Sequence, residues 1–571
     1  MLKIRSVFYI NFVMKDNLFP KSLYNNKNSV CLMEKPKIDY YVWADKVADQ
    51  LREKNIKKHV LHGMWTPSGY FHIGNSRVEL MIPHFVQRSL ENIGISSEQN
   101  FIVDDFDDFD KIPEGLHVKK EKFEKYLGKP LKEVPSPVEG HDSWADFFRQ
   151  DIISAMDKFG IKPNIKLSYD SYKKGLYDKA IKIVLDNSQR VVQIWNDIAK
   201  GSKQEAQIPV MPFCENCGKF STTEAVSWDG RELQYSCTNH RKYAKGCGHK
   251  GKLKPGKGNV KLPWRLHWPA TWFIYGTTFE TAGKDHFAAG GSVETGQAFA
   301  REIFKIEGPM QIPSEFLLVD NKKLSGSAGD VISLNNWLEF AEPELLKFMM
   351  ISYQPQTVID FDLHSNKFFL LADRYDEAEK VYYSSEKKDE KREEQLKKYY
   401  PYSQVKEPQE HMPVQLNFSI AVMVVQVFPE KSLSELADIL SSKGWIHTKT
   451  LTHYNKEKLL RRLELAKNWL KKYAPDDVKF EVQHHAPKDI ELGAKEKKAL
   501  HKIAELLKEK DYDEKSLFNE FYNVSKELGL NPQDFFKAAY KILLNKERGP
   551  KLAPFILTLG KEKVAKLFEG V

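Results

Sequence analysis

The sequence predicts an α/β fold with a parallel sheet, an inserted region carrying a metal module, and an α-helical bundle at the C-terminal end. Three observations predict it. Two glycine-containing loops, far apart in the chain, each follow a strand-like apolar run, and the first opens a helix. Four cysteines fall between the two loops. From Leu433 onward the apolar residues recur mostly at helical spacing.

In chain order, Tyr40 to Asp110 reads helix, strand, helix, strand. The run His59-Val60-Leu61 leads to Pro67-Ser68-Gly69-Tyr70-Phe71-His72-Ile73-Gly74-Asn75. Val78, Ile82, Phe85, Val86 and Leu90 then follow at helical spacing. A glycine loop entering a helix N-terminus holds phosphate, because its N–H groups and the helix dipole both favour an anion. The second strand, Phe101-Ile102-Val103, ends in a run containing Asp104, Asp105, Asp107, Asp108 and Asp110. Ligands sit at such strand ends in open α/β sheets. Grouped carboxylates there need a cationic ligand, nearby Lys or Arg, or solvent. Asp104 or Asp105 is expected in a site and the other acids on a solvated face. The missing glycine and terminal Glu spacing argue against a calcium loop.

Residues 111–205 show little chemistry. Next come Cys214-x-x-Cys217, Cys237 and Cys247, with Gly218 and Gly248 after the second cysteine of each half. Four thiolates suit a structural Zn²⁺. The second half is irregular, so His240 or His249 remain alternative ligands. Leu262 to Arg301 holds Trp264, Trp268 and Trp272, then Gly283-Lys284-Asp285-His286. The tryptophans read equally as core or site; Asp285 and His286, on a glycine-flanked loop, read as site residues. Phe316-Leu317-Leu318-Val319 precedes the second loop, Lys322-Lys323-Leu324-Ser325-Gly326-Ser327. Ser384 to Lys398 is charged and reads as an exposed helix or loop. Val414 to Phe428 reads as a buried helix or strand, and Asn531-Pro532 as a helix start.

The chain has 571 residues, 41% hydrophobic and 29% charged, which indicates several globular domains. With 87 basic and 78 acidic residues the net charge is +9, which permits an RNA partner without requiring one. No apolar run is long enough for a membrane span, and a cytoplasmic location is expected. Five cysteines do not make a disulfide scaffold; Cys31 is left over. Residues 1–33 differ in composition and read as an extension or an early start codon, with a short targeting segment as the alternative.

The tetrapeptide His72-Ile73-Gly74-Asn75 and the loop Lys323-Leu324-Ser325-Gly326-Ser327 resemble the HIGH and KMSKS motifs of class I aminoacyl-tRNA synthetases. In these variant forms, and with the Gly283–His286 block between them, they resemble the class I lysyl-tRNA synthetases. Asn75, Leu324 and Gly326 depart from the consensus. The resemblance implies a Rossmann-like catalytic domain in two halves, 34–110 and 256–340, with 1–33 outside the fold. It implies an acceptor-end insertion at 111–205, a zinc module at 206–255, a stem-contact region at 341–400 and an anticodon-binding helical region at 401–571.

The implied reaction is ATP-dependent attachment of L-lysine to tRNA(Lys) through a lysyl-adenylate, with Mg²⁺ accompanying ATP. His72, Asn75, Lys323, Ser325 and Ser327 are the implied catalytic residues. Pro67, Gly74, Gly283, Asp285 and Lys323 would hold ATP, and Gly63, Thr66, Asp104, Trp264 and His286 would hold lysine. Cys214, Cys217, Cys237 and Cys247 would hold Zn²⁺. Which carboxylate faces the lysine ammonium stays open. A monomer is the favoured state. The alternatives are a class I synthetase for glutamate or cysteine, a non-catalytic tRNA-binding paralogue, and a zinc-ribbon nucleic-acid binder.

Overall fold

Five strands build one parallel sheet: β1 (Lys58–Trp65), β2 (Ser96–Val103), β3 (Asn164–Leu167), β4 (Phe279–Gly283) and β5 (Met310–Ser314). Their order is β5-β4-β1-β2-β3. The computed structural model describes residues 40–199, 203–324, 331–365, 367–446, 451–487 and 490–571. Residues 1–33, with Cys31, and the loop residues Ser325, Gly326 and Ser327 lie outside them.

Side chains alternate across the sheet. Leu61, Phe101, Val103 and Phe279 join a core with the helices α1 (Trp43–Arg52) and α2 (Ile82–Asn92). Met64, Ile102 and Ala282 pack on the other face against Trp268 and Trp272 of α3 (Trp264–Tyr275) and Ala300 of α4 (Ser292–Glu302). Helices on both faces allow parallel strands to be apolar throughout. The chain runs outward from β1 through β2 and β3, then returns to the far side of β1 as β4. That reversal opens a crevice at the carboxyl ends of β1 and β4.

The helical segment after β1 begins at Ile73–Ser76, passes through a π-helical turn at Arg77–Met81 and continues as α2. The wide turn brings Glu79 against the sheet. A Cβ on Gly63 would lie 1.9 Å from the Glu79 carbonyl oxygen, so only glycine fits β1 at this point. Arg77, from the same turn, is 1% exposed. Its guanidinium donates to the carbonyls of Glu315 (3.0 Å), Gln354 (3.0 Å) and Thr357 (2.9 Å). Burial lowers it to about 10, which leaves it charged at neutral pH. It ties the first loop's helix to a smaller sheet made of β6 (Leu317–Val319), β7 (Lys322–Lys323) and β8 (Ile359–Phe361).

The aspartate run after β2 differs from the expected solvated face. Lys261, itself buried, donates to Asp104 at 3.0 Å and to Asp107 at 3.1 Å. Tyr243 donates to Asp108 at 2.5 Å, and the Tyr169 N–H donates to Asp105 at 2.7 Å. These acids form a seam joining the sheet to the cysteine-rich module. Burying them is tolerable because a cation and hydrogen-bond donors face them. In that module Glu224–Trp228, Leu233–Ser236 and Lys250–Leu253 form an antiparallel sheet.

Beyond residue 366 the described elements are all helices. The apolar run after Val414 is the helix Phe418–Val427, capped by Asn417. The charged run enters the helix Glu390–Ser403, capped by Asp389. Asn531 caps Pro532–Leu544, as its sequence signature predicts. Among the described residues no helix is long and apolar enough to cross a membrane.

Replacing Arg77 by Met fills similar space but leaves the carbonyls of Glu315, Gln354, Pro355 and Thr357 without this donor. A stranded buried acceptor costs roughly 1–3 kcal/mol, and most of these are only partly buried, so Arg77→Met should lose about 2 kcal/mol. Urea unfolding of the variant against the parent measures this, and a loss under 1 kcal/mol would contradict the account.

Candidate active site and metal centre

The two signature loops meet in the crevice. His72 caps the helix that follows it: the Asn75 N–H donates to His72 Nδ1 at 3.1 Å, and the His72 N–H donates to Asn75 Oδ1 at 3.3 Å. With Nδ1 accepting, the neutral ring carries its proton on Nε2. Burial, aided by the Lys323 charge, lowers the imidazole to about 4. His72 is therefore a neutral donor at physiological pH. Asn75 orients it, a role not visible in the tetrapeptide alone.

Lys323 comes from β7. Its ammonium lies 3.4 Å from Asp285 and 3.8 Å from the centroid of the Phe316 ring. Asp285 follows β4, so the cation reaches the crevice from the second half of the fold. Lys322 pairs with Val319 and Lys323 with Leu318 across the β6–β7 hairpin, so the two lysines point to opposite sides. The far side of the second loop is also tied down. Ser333 forms an antiparallel bridge with His72, and the Ile73 N–H donates to the Ile332 carbonyl at 2.9 Å.

Beside these groups stands an aromatic wall. Trp264 stacks on Trp268 at 5.4 Å, and the His286 ring lies 5.6 Å from Trp268. Trp268 and Trp272 both donate indole N–H groups to Glu280 Oε2, at 2.8 and 2.5 Å. Glu79 accepts from the Met64 N–H at 2.8 Å. Burial pushes the Glu280 carboxyl up to about 7 and holds Glu79 well above the usual carboxylate range, with Glu280 adding to the Glu79 shift. Among the described residues neither carboxyl pairs with a Lys or Arg, and desolvation favours the protonated form of both. Asp104 has a cation already in Lys261. Sequence reasoning passed over Arg77, Glu79 and Glu280, because a charge inside a helix or strand gives no sign of being enclosed by distant segments. Pro67, Thr66 and Gly74 lie on the first loop, and a Cβ on Gly74 would sit 3.0 Å from His72 Nδ1. Gly283 ends β4 with open space where a Cβ would be.

In the cysteine module the Sγ atoms of Cys214, Cys217, Cys237 and Cys247 all lie within 4.8 Å of one another. The Cys214–Cys247 and Cys217–Cys237 separations are 3.6 and 3.7 Å. Tetrahedral zinc with bonds of roughly 2.3 Å needs edges of about 3.8 Å. Gly218 and Gly248 take positive φ, at 69° and 83°, which turns the chain at each pair. His249 is occupied by Glu215 at 2.9 Å. The donor set fits a thiolate-bound Zn²⁺.

A family model described as tRNA synthetases class I (K) matches residues 41–406. The chain belongs to that family. It is 35% identical to the lysine--tRNA ligase of Methanocaldococcus jannaschii over 92% of this chain and 99% of that protein. It is 31% identical to that of Methanosphaera stadtmanae and 32% identical to that of Pyrococcus horikoshii, each over 92% of this chain and 98% of the relative. In this class I synthetase the first signature motif is bridged to Ser333, six residues past the end of the second.

Protein prepared without chelator should contain one Zn²⁺ per chain by elemental analysis. Cys217→Ser should lose it, whereas His249→Ala should keep it. Loss of zinc in His249→Ala would replace a thiolate by the imidazole in the ligand set.

Proposed function

We propose that the protein activates L-lysine with ATP and transfers it to tRNA(Lys). The observation that carries this reading is the meeting of His72, Lys323 and Asp285 at the crevice between β1 and β4, with the uncompensated Glu79–Glu280 pair beside them. The lysine carboxylate attacks the α-phosphate of ATP and pyrophosphate leaves. A terminal ribose hydroxyl of tRNA then attacks the adenylate and AMP leaves. Such phosphoryl chemistry needs alignment and charge stabilisation more than a protein nucleophile.

Pro67, Gly74 and Gly283 leave room for ATP, and Asp285 accepts from the ribose hydroxyls. His72 Nε2–H and the Lys323 ammonium stabilise charge on the phosphates. Ser325 and Ser327 would donate from the same loop. Mg²⁺ accompanies ATP through phosphate oxygens and water. The ammonium of lysine enters between Glu79 and the faces of Trp264 and Trp268, with Thr66, Gly63 and His286 completing the pocket. Glu79 takes the part first expected of Asp104, whose charge is matched by Lys261. The zinc module suits a phosphate backbone: Leu233 to Phe279 contains no Asp or Glu but carries Arg241, Lys242, Lys245, Lys250, Lys252 and Lys254. The tRNA acceptor end fits there, and the helical region after residue 400 takes the anticodon arm.

ATP–pyrophosphate exchange across the twenty amino acids tests the reading. Lysine alone should drive it. Exchange with glutamate or cysteine only would reassign the substrate, and no exchange at all would favour a non-catalytic paralogue. Glu79→Gln should raise the KM for lysine roughly 10- to 100-fold, the scale of one hydrogen bond to a charged group. An unchanged KM would remove Glu79 from the pocket.

Lys323→Ala should slow lysyl-adenylate formation roughly 10²–10³-fold, the scale of losing one transition-state donor. Lysine affinity should hold, because the side chain is outside the amino-acid pocket. Lys322→Ala should cost much less. Single-turnover measurements decide, and a larger effect from Lys322→Ala would shift the motif by one residue.

A further inference from the structure

A second group of metal-ligating side chains lies outside the cleft and outside the cysteine module. Asp320 sits in the turn between β6 and β7, where it and Asn321 take positive φ, at 51° and 61°. Asp362 and His364 follow β8. Strands β6 and β8 run parallel, with Val319 opposite Phe361, so both loops leave the small sheet at the same end. The ligand atoms of Asp320, Asp362 and His364 all lie within 4.8 Å of one another.

The geometry within the group is that of an ion site. His364 Nδ1 is 3.1 Å from Asp320 Oδ2. Two ligands at roughly 2.1 Å from one ion, bound at right angles, are separated by about 3 Å. The other oxygen, Asp320 Oδ1, is buried and has no hydrogen-bond partner. The Asp362 side chain is held in place by the His364 N–H, which donates to its Oδ1 at 2.9 Å. The nearby Lys367 does not neutralise the group by direct contact, since its ammonium pairs with Asp360 at 3.2 Å. The His364 imidazole thus pairs with Asp320 while its backbone N–H holds Asp362.

We propose that Asp320, Asp362 and His364 bind one divalent first-row transition-metal ion, which clamps the β6–β7 turn to the loop after β8. Two hard oxygens with one imidazole suit Mn²⁺ or Zn²⁺. Sites of mixed oxygen and nitrogen donors discriminate against Mg²⁺, which prefers oxygen and its own water. The clamp lies three residues before Lys323, so the ion would stiffen the hairpin that presents this cation. Its role is positioning, without contact with ATP or lysine. Ion binding here stands or falls independently of the substrate assignment.

Mn²⁺ is the probe, because the four thiolates of the cysteine module select softer metals. The full chain, zinc-loaded and free of ATP, is titrated with Mn²⁺ and the free ion is read by electron paramagnetic resonance. One Mn²⁺ per chain should be retained by the parent and lost in both Asp362→Asn and His364→Ala. Mn²⁺ should also raise the thermal unfolding midpoint of the parent and not of the variants, since an ion bound only by the folded state stabilises it. Circular dichroism checks that each variant folds, and if one does not the other decides. A parent that retains no Mn²⁺, or a folded variant that retains as much as the parent, overturns the proposal.

Discussion

The Arg77 guanidinium holds the architecture of the cleft together. It rises from the turn that follows the first signature loop and donates to main-chain carbonyls on two separate segments, at 315 and at 354–357. These segments frame β6, whose hairpin carries Lys323. A buried fork of donors thus ties the segment after His72 to the strand hairpin that carries Lys323. Arginine suits this task because its planar donors remain charged and fixed in direction. The π-helical turn at Arg77–Met81 places the donor there and at the same time presses Glu79 toward β1. One local departure from α-helix geometry therefore serves both the scaffold and the proposed amino-acid pocket.

A second seam joins the insertion to the sheet. Asp104 and Lys261 form a buried ion pair that the partly exposed Asp107 joins, and Asp108 and Asp105 are held by a phenol and a backbone N–H. Breaking such a cluster costs more than forming it gains, because each partner left behind is an unpaired charge in a dry place. The seam thus specifies how the metal module sits on the catalytic sheet. In the proposed reading its basic surface would then meet a phosphate backbone in one orientation.

Much of this was legible in the residues. The place of His72 at a helix N-terminus and of Lys323 just past a strand was readable from local pattern, since glycine and a helix N-terminus have a direct physical meaning. The four cysteines were found from spacing, and the Asn531 cap from local hydrogen-bond rules. What escaped depends on contacts between distant positions. The pairing of Asp104 with Lys261 spans the whole insertion, and the acid-free stretch around Lys261 was the signal that would have suggested it. Glu79 and Glu280 look like ordinary helix and strand residues, because burial is a property of the assembled sheet. Asn75 read as a weakened catalytic group, yet its amide is half of a reciprocal cap whose partner is the histidine itself.

The contact between Lys323 and Asp285 has a consequence for the order of events in the proposed reaction. The carboxylate that would receive the ribose is the one on which the cation rests. Nucleoside and ammonium therefore compete for a single acceptor. In the proposed site an arriving sugar would displace the Lys323 ammonium, and the nearest negative charge it would meet is the triphosphate of the same molecule. One end of the ligand releases the group that acts on the other end. A nucleoside without phosphates would break the ion pair and offer no replacement, so the enzyme would favour the intact triphosphate before any bond is made or broken.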